Sequence, residues 1–157
     1  MSSFKPILDT MQAYKPGKPI EETKKEFGLT EVIKLASNEN PYGYSDQVKQ
    51  FLKEEMHALE LYPDANATDL KASIANRLAI EPEQLIVGNG SDEIISVLSR
   101  AVLDPTKETI IPTPVFPQYA HNAKVEGATI IEVPLTKEGQ HDFEGMLAAI
   151  TDQTAII

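Results

Sequence analysis

The sequence predicts an α/β fold: a mostly parallel sheet covered by helices on both faces and preceded by an N-terminal arm. Three observations carry this reading. From residue 45 onward, short β-branched runs alternate with stretches of helical apolar spacing, the pattern of βαβ units. A glycine-containing turn joins one apolar run to a strongly apolar helix. The first forty residues hold Pro6, Pro16 and Pro19, with Pro41 just after, and offer too little apolar surface for a core of their own.

The elements follow in order. Residues 20–27, with the mixed-charge run Glu21 to Glu26, fit a short solvated helix ended by Gly28. Val32 to Ala36 is an extended candidate, and Asn40-Pro41-Tyr42-Gly43 is turn chemistry. Ser45 is placed to cap a helix on which Val48, Phe51, Leu52 and Leu59 share a face. A second helix opens at Thr68, with Leu70, Ile74 and Leu78 four apart. Leu85-Ile86-Val87 reads as a short buried strand running into Gly88-Asn89-Gly90-Ser91. The next helix carries Ile94, Ile95, Val97, Leu98, Ala101 and Val102. Thr109-Ile110-Ile111 is a strand stopped by Pro112 and Pro114. Residues 117–125 read as helix, Ala128 to Val133 as strand, and Phe143, Met146, Leu147 and Ile150 as one helical face. Thr154-Ala155-Ile156-Ile157 opens a further strand, and a chain that stops there is expected to be a fragment.

Composition narrows the function classes. With 157 residues of which 41% are hydrophobic, the chain can bury one compact core. Its 24 acidic against 14 basic residues give a net charge of -10, which argues against nucleic-acid or anionic-membrane partners. No apolar run reaches the about 18 residues a membrane helix needs. MSSFKPILDT lacks the apolar core of a secretory signal, so a cytoplasmic location is expected. The absence of Cys excludes disulfides and thiolate metal sites from this chain.

Candidate chemistry concentrates at two turns. Gly88-Asn89-Gly90-Ser91-Asp92-Glu93 precedes a helix whose first N–H groups lack intrahelical partners, and an anion such as phosphate is favoured there. The dinucleotide fingerprint would need a glycine at Glu93, and the P-loop needs a Gly-Lys-Ser/Thr ending. The plainer reading is a tight connection with Ser91 as N-cap, and Asp92 and Glu93 would repel a nearby dianion. Phe116 and Tyr119 follow Pro112-Thr113-Pro114 at the C-terminal end of a strand, where ligands bind in open α/β sheets. A ring there either stacks on a planar heteroaromatic or simply covers the sheet edge. Tyr62, before Pro63-Asp64, either packs or lends its hydroxyl to a phosphate in its own or a neighbouring subunit. His57, His121 and His141 are scattered, so no metal site is expected.

Taken together, these segments resemble the histidinol-phosphate aminotransferase family, pyridoxal-phosphate (PLP) enzymes of the aspartate aminotransferase fold, fold type I. The resemblance rests on Tyr14-Lys15-Pro16-Gly17, on Lys34-Leu35-Ala36-Ser37-Asn38-Glu39-Asn40-Pro41-Tyr42-Gly43, and on Tyr62-Pro63-Asp64. It also rests on Gly88 to Glu93 and on Pro112-Thr113-Pro114-Val115-Phe116-Pro117-Gln118-Tyr119. The order and spacing match along the whole chain, and the Asn-Glu-Asn-Pro stretch is the most family-specific part.

The resemblance implies roles. Gly90, Ser91 and Asp92 would present backbone N–H groups to the PLP phosphate. Phe116 would stack on the pyridine ring where relatives carry Tyr or Trp, with Tyr119 in reserve. Tyr62 would reach across a homodimer interface to the other subunit's cofactor. Asn38, Tyr14 and Glu39 would lie near the small-molecule substrate. Residues 1–44 would form the arm and interface segment, and 45–157 the first part of the PLP-binding domain. The Schiff-base lysine, the acidic partner of the pyridine nitrogen and the carboxylate-binding arginine would follow Ile157. Neither Arg77 nor Arg100 matches that clamp, and none of the 12 lysines has the Schiff-base context. No catalytic residue is therefore assigned within the chain, which is expected to be inactive alone. The rivals are a sister aminotransferase for aromatic or other amino acids and a non-catalytic phosphate-binding module.

Overall fold

The computed structural model describes residues 4–14, 16–54 and 60–157. Its helices are α1 (Ile20–Phe27), α2 (Asp46–Glu54), α3 (Thr68–Leu78), α4 (Ser91–Val102), α5 (Gln118–Glu126) and α6 (Phe143–Ala148). The strands are β1 (Glu108–Thr113), β2 (Thr129–Pro134) and β3 (Thr154–Ile156). The chain divides into two compact units, one of Met1–Gln12 with Thr68–Ile157 and the other Ala13–Ala67.

The first unit is built on a parallel sheet of order β2-β1-β3. β1 and β2 run in unbroken register from Glu108↔Thr129 to Thr113↔Pro134, whereas β3 meets only Glu108 and Thr109. Parallel neighbours need long crossovers, and α5 and α6 supply them. The side-chain alternation of a strand then sends successive residues to opposite layers. Ile110, Val133 and Met146 of α6 cluster on one face. Leu103, Ala123 of α5 and Ala128 cluster on the other, with Ile130 and Ile156 against them. A sheet covered on both faces was the predicted architecture.

Pro112 departs from the prediction, because it lies inside β1 and does not stop it. Thr129 and Leu135 donate to the carbonyls of Lys107 and Thr113, whereas Glu108 donates toward Gln153. Even-numbered N–H groups of β1 therefore face β3. The donor that proline lacks lies on the β3 side of β1, away from the β1–β2 ladder, which runs unbroken through Thr113.

Leu85–Val87 is also not the buried strand that was expected. Leu85 is extended (φ -109°, ψ 130°), but the segment pairs with no described strand, and Ile86 remains 60% exposed. Apolar β-branched composition favours extension, and a strand also needs a neighbour. Val32–Ala36 likewise forms no ladder among the described residues.

Other boundaries move little. β2 begins one residue after the predicted Ala128 and runs through Pro134. Gly28 ends α1 in the left-handed region, and the Ser45 hydroxyl accepts from the Gln47 N–H at the start of α2. Ile150 lies just past the end of α6. Leu59, expected on the α2 face, falls outside the described residues.

Candidate functional site

The Gly88–Glu93 turn owes its shape to two glycines and one carboxylate. Gly90 is the N-cap of α4 at φ 83°, ψ 177°, a conformation open mainly to glycine, and no side chain caps the helix. Ser91 is consequently the first helical residue and not the N-cap that the sequence suggested. A cap needs non-helical backbone, and here Gly90 takes it.

The N–H groups of Ser91, Asp92 and Glu93 have no acceptor among the described residues, and the first helical bond runs from Ile94 to the Gly90 carbonyl at 3.4 Å. A Cβ at Gly90 would meet nothing within 4 Å, so glycine is favoured there by its φ and not by a close neighbour. Glu93 folds back instead of facing outward: its carboxylate accepts from the Asn89 N–H. Gly88 makes room for that turn, since a Cβ there would stand 2.8 Å from Ile94 Cδ1 and 3.0 Å from Glu93 Oε2. The donor set is thus aligned amides at the positive end of a helix, beside the Ser91 hydroxyl. Such a set suits a compact oxyanion.

Phe116 sits between the end of β1 and the start of α5, and Tyr119 lies in the first turn of α5, which packs against α4. Their rings meet edge to face, with centroids 6.4 Å apart and planes at 86°. Both rings stay roughly half exposed.

The remaining predicted residues belong to the Ala13–Ala67 unit. Ser37 and Asn38 adopt left-handed backbone at φ 69° and 50°. Lys34 Nζ donates to Glu39 Oε1 at 2.7 Å. The Asn40 side chain donates to the Gly43 carbonyl at 2.6 Å and accepts from the Tyr42 N–H, fixing the predicted turn. Tyr14 is half exposed, and Tyr62 is 99% exposed. The structure thus groups Gly90, Ser91 and Asp92 on one turn and Phe116 with Tyr119 on another. Asn38, Glu39, Tyr14 and Tyr62 lie in a separate unit.

The Glu93 fold-back is the feature that sequence reading missed. Its signal was available, since a glutamate three residues after an N-cap has capping-box spacing. Among the described residues no group of His, Asp and Glu could hold a metal, and no helix is long and apolar enough to cross a membrane. His57 lies outside the described residues. A separate apolar cleft of about 620 Å³, lined by Ile95, Leu98, Val115, Phe143 and Leu147 among others, includes Tyr119 alone of the candidate residues.

Comparisons with known proteins bear on the family and the fold. A family model described as aminotransferase class I and II matches residues 30–157. The chain is 53% identical over 154 residues to a histidinol-phosphate aminotransferase of Lysinibacillus sphaericus, covering 98% of this chain and 42% of that protein. It is 46% identical to the Bacillus subtilis (strain 168) protein of that name, covering 98% and 43%. The chain therefore spans well under half the length of these curated relatives. Its fold matches the histidinol-phosphate aminotransferase of Sinorhizobium meliloti, solved in complex with pyridoxal-5'-phosphate, with a TM-score of 0.83. That match has 22% identity and covers 98% of this chain and 40% of the other. An aspartate aminotransferase from Thermotoga maritima matches with a TM-score of 0.72 and 23% identity, over 85% and 38%. Both are likenesses of fold, the fold type I architecture.

Proposed function

The chain belongs to the class I and II aminotransferase family, and from that premise we propose that it forms the N-terminal part of a histidinol-phosphate aminotransferase. The whole enzyme exchanges an amino group between L-histidinol phosphate, or its keto form imidazole acetol phosphate, and 2-oxoglutarate or glutamate, in histidine biosynthesis. It works in the cytoplasm as a homodimer with PLP. The single observation that carries the substrate assignment is the identity of about half over nearly the whole chain to proteins bearing that name. Residues 1–44 act as arm and interface segment, and 45–157 as the first part of the PLP-binding domain.

The donor set at the start of α4 fits the cofactor's phosphate. Among the described residues the amides of Ser91 and Asp92 have no acceptor, and the Ser91 hydroxyl adds a donor. Gly90, Ser91 and Asp92 hold the 5'-phosphate, and the helix dipole offsets part of its charge. The half-exposed ring of Phe116 supports the pyridine face, with Tyr119 braced edge-on against it. Tyr62, on the surface of its unit, reaches the neighbouring subunit's phosphate. Asn38, Tyr14 and Glu39 contact the substrate, with Lys34 orienting the Glu39 carboxylate.

Bound PLP would supply an electron sink for chemistry at the substrate Cα. The residues of this chain bind and orient, and none of its lysines is assigned the proton transfer. The test is a transamination assay of the full-length protein with 2-oxoglutarate. We expect L-histidinol phosphate to be the preferred donor by kcat/KM. Preference for an aromatic amino acid or aspartate would assign a sister enzyme, and failure with every amino donor would favour a non-catalytic phosphate-binding module.

A further inference from the structure

We propose that Glu93 is a positioning residue for the cofactor phosphate, acting as a latch that holds the Gly88–Gly90 turn in its amide-presenting shape. The inference rests on the phosphate-cradle reading of Ser91 and Asp92 and deepens it. A carboxylate at the third position of a helix normally points to solvent or toward its own N-cap. Here it passes the N-cap and accepts from the N–H of Asn89, one residue earlier. That contact satisfies a backbone donor of the turn that would otherwise compete for a ligand's oxygens. The Gly90 N–H is likewise engaged, by the Gly88 carbonyl at 2.9 Å. Among the described residues the consecutive amides of Ser91, Asp92 and Glu93 itself are then without an acceptor at the start of α4, and the Gly88 N–H is so at the other end of the turn.

The latch also bears on the electrostatics of the turn. Two adjacent acids beside a dianion are unfavourable, and one oxygen of the Glu93 carboxylate is engaged by the Asn89 N–H. Gly88 is part of the device. A Cβ at 88 would lie 3.0 Å from Glu93 Oε2 and 2.8 Å from Ile94 Cδ1, so glycine keeps the carboxylate's seat clear.

The test compares affinity for PLP with affinity for pyridoxal, which lacks the phosphate, in the full-length apoprotein. Wild type should favour PLP strongly; equal affinities would overturn the cradle reading and the latch with it. Given that preference, Glu93→Ala should lower the PLP-to-pyridoxal affinity ratio about ten-fold, the scale of a charged hydrogen bond. Glu93→Gln, which keeps an acceptor oxygen, should retain most of the ratio. A ratio unchanged in Glu93→Ala, or an equal loss for both ligands, would reduce Glu93 to a helix cap and refute the latch while leaving the cradle standing. Should Glu93→Ala fail to fold, Gly88→Ala provides the same readout, because the added methyl displaces the carboxylate. Its ratio should fall too, and an undiminished one would refute the latch.

Discussion

The two units of the chain handle apolar side chains in opposite ways. In the unit of Met1–Gln12 and Thr68–Ile157, β1 is buried through Thr109, Ile110 and Ile111, and helices cover both faces of its sheet. In the Ala13–Ala67 unit no described residue is buried, and Ile33, Leu35, Tyr42 and Tyr62 are 87%, 96%, 95% and 99% exposed. The first unit supplies structure, and the second supplies surface. An exposed apolar series of this kind is the mark of an interaction surface, which fits the proposed homodimer and substrate roles.

Substitutions can break or sharpen that contrast. The largest effect is expected at Ile110, 1% exposed between Val133 and Met146. Ile110→Ala should cost about 3–4 kcal/mol in urea unfolding through lost burial and a residual cavity. Leu35→Ala, at 96% exposure, should change the stability of the isolated chain by less than about 0.5 kcal/mol. A comparable loss at both positions would erase the distinction between the units.

Phe116→Ala in the full-length protein should weaken PLP binding by roughly 1–2 kcal/mol through lost ring contact, measured by fluorescence titration. Its effect on stability should be smaller, because the ring is already 43% exposed. Asp142 caps α6 by accepting from the Gly145 N–H at 3.0 Å. Asp142→Ala should therefore cost about 1 kcal/mol with PLP affinity intact. Tyr62→Phe should leave the melting temperature unchanged and raise the PLP dissociation constant a few-fold if its hydroxyl meets the partner's phosphate. Unaltered binding would remove that role.

The smallest effect concerns pH. Hydrogen bonds from the Thr106 hydroxyl and N–H hold the Asp104 carboxyl below its ordinary 3.8. A depressed acid stabilises the fold above its unfolded pKa, and that contribution is lost as pH falls through the folded value. Thr106→Val removes the hydroxyl contact. Its stability deficit should be present at pH 7 and vanish in strong acid, as read from unfolding curves across the acid limb.

How much of this was visible in the sequence depended on what each element needs. Helices α4 and α5 and strands β1 and β2 carry their determinants locally, in β-branched runs and apolar spacing, and they appear where expected. Leu85–Val87 has the composition of a strand but not the neighbour, and composition cannot supply a neighbour. Pro112 looked like a stop, but its missing donor lies on the side of β1 away from β2, and residue type does not tell which side that is. Candidate residues next to one another in sequence, such as Gly90 to Asp92, could be read directly. The return of Glu93 to Asn89 required the positive φ of Gly90, a backbone choice that residue type permits without dictating.

The central claim is most directly tested by a crystal structure of the full-length protein grown with PLP. Phosphate oxygens should lie within about 3 Å of the Ser91 and Asp92 amide nitrogens, with the pyridine ring against Phe116. A cofactor seated away from α4, or those amides bonded to other protein atoms, would contradict the account.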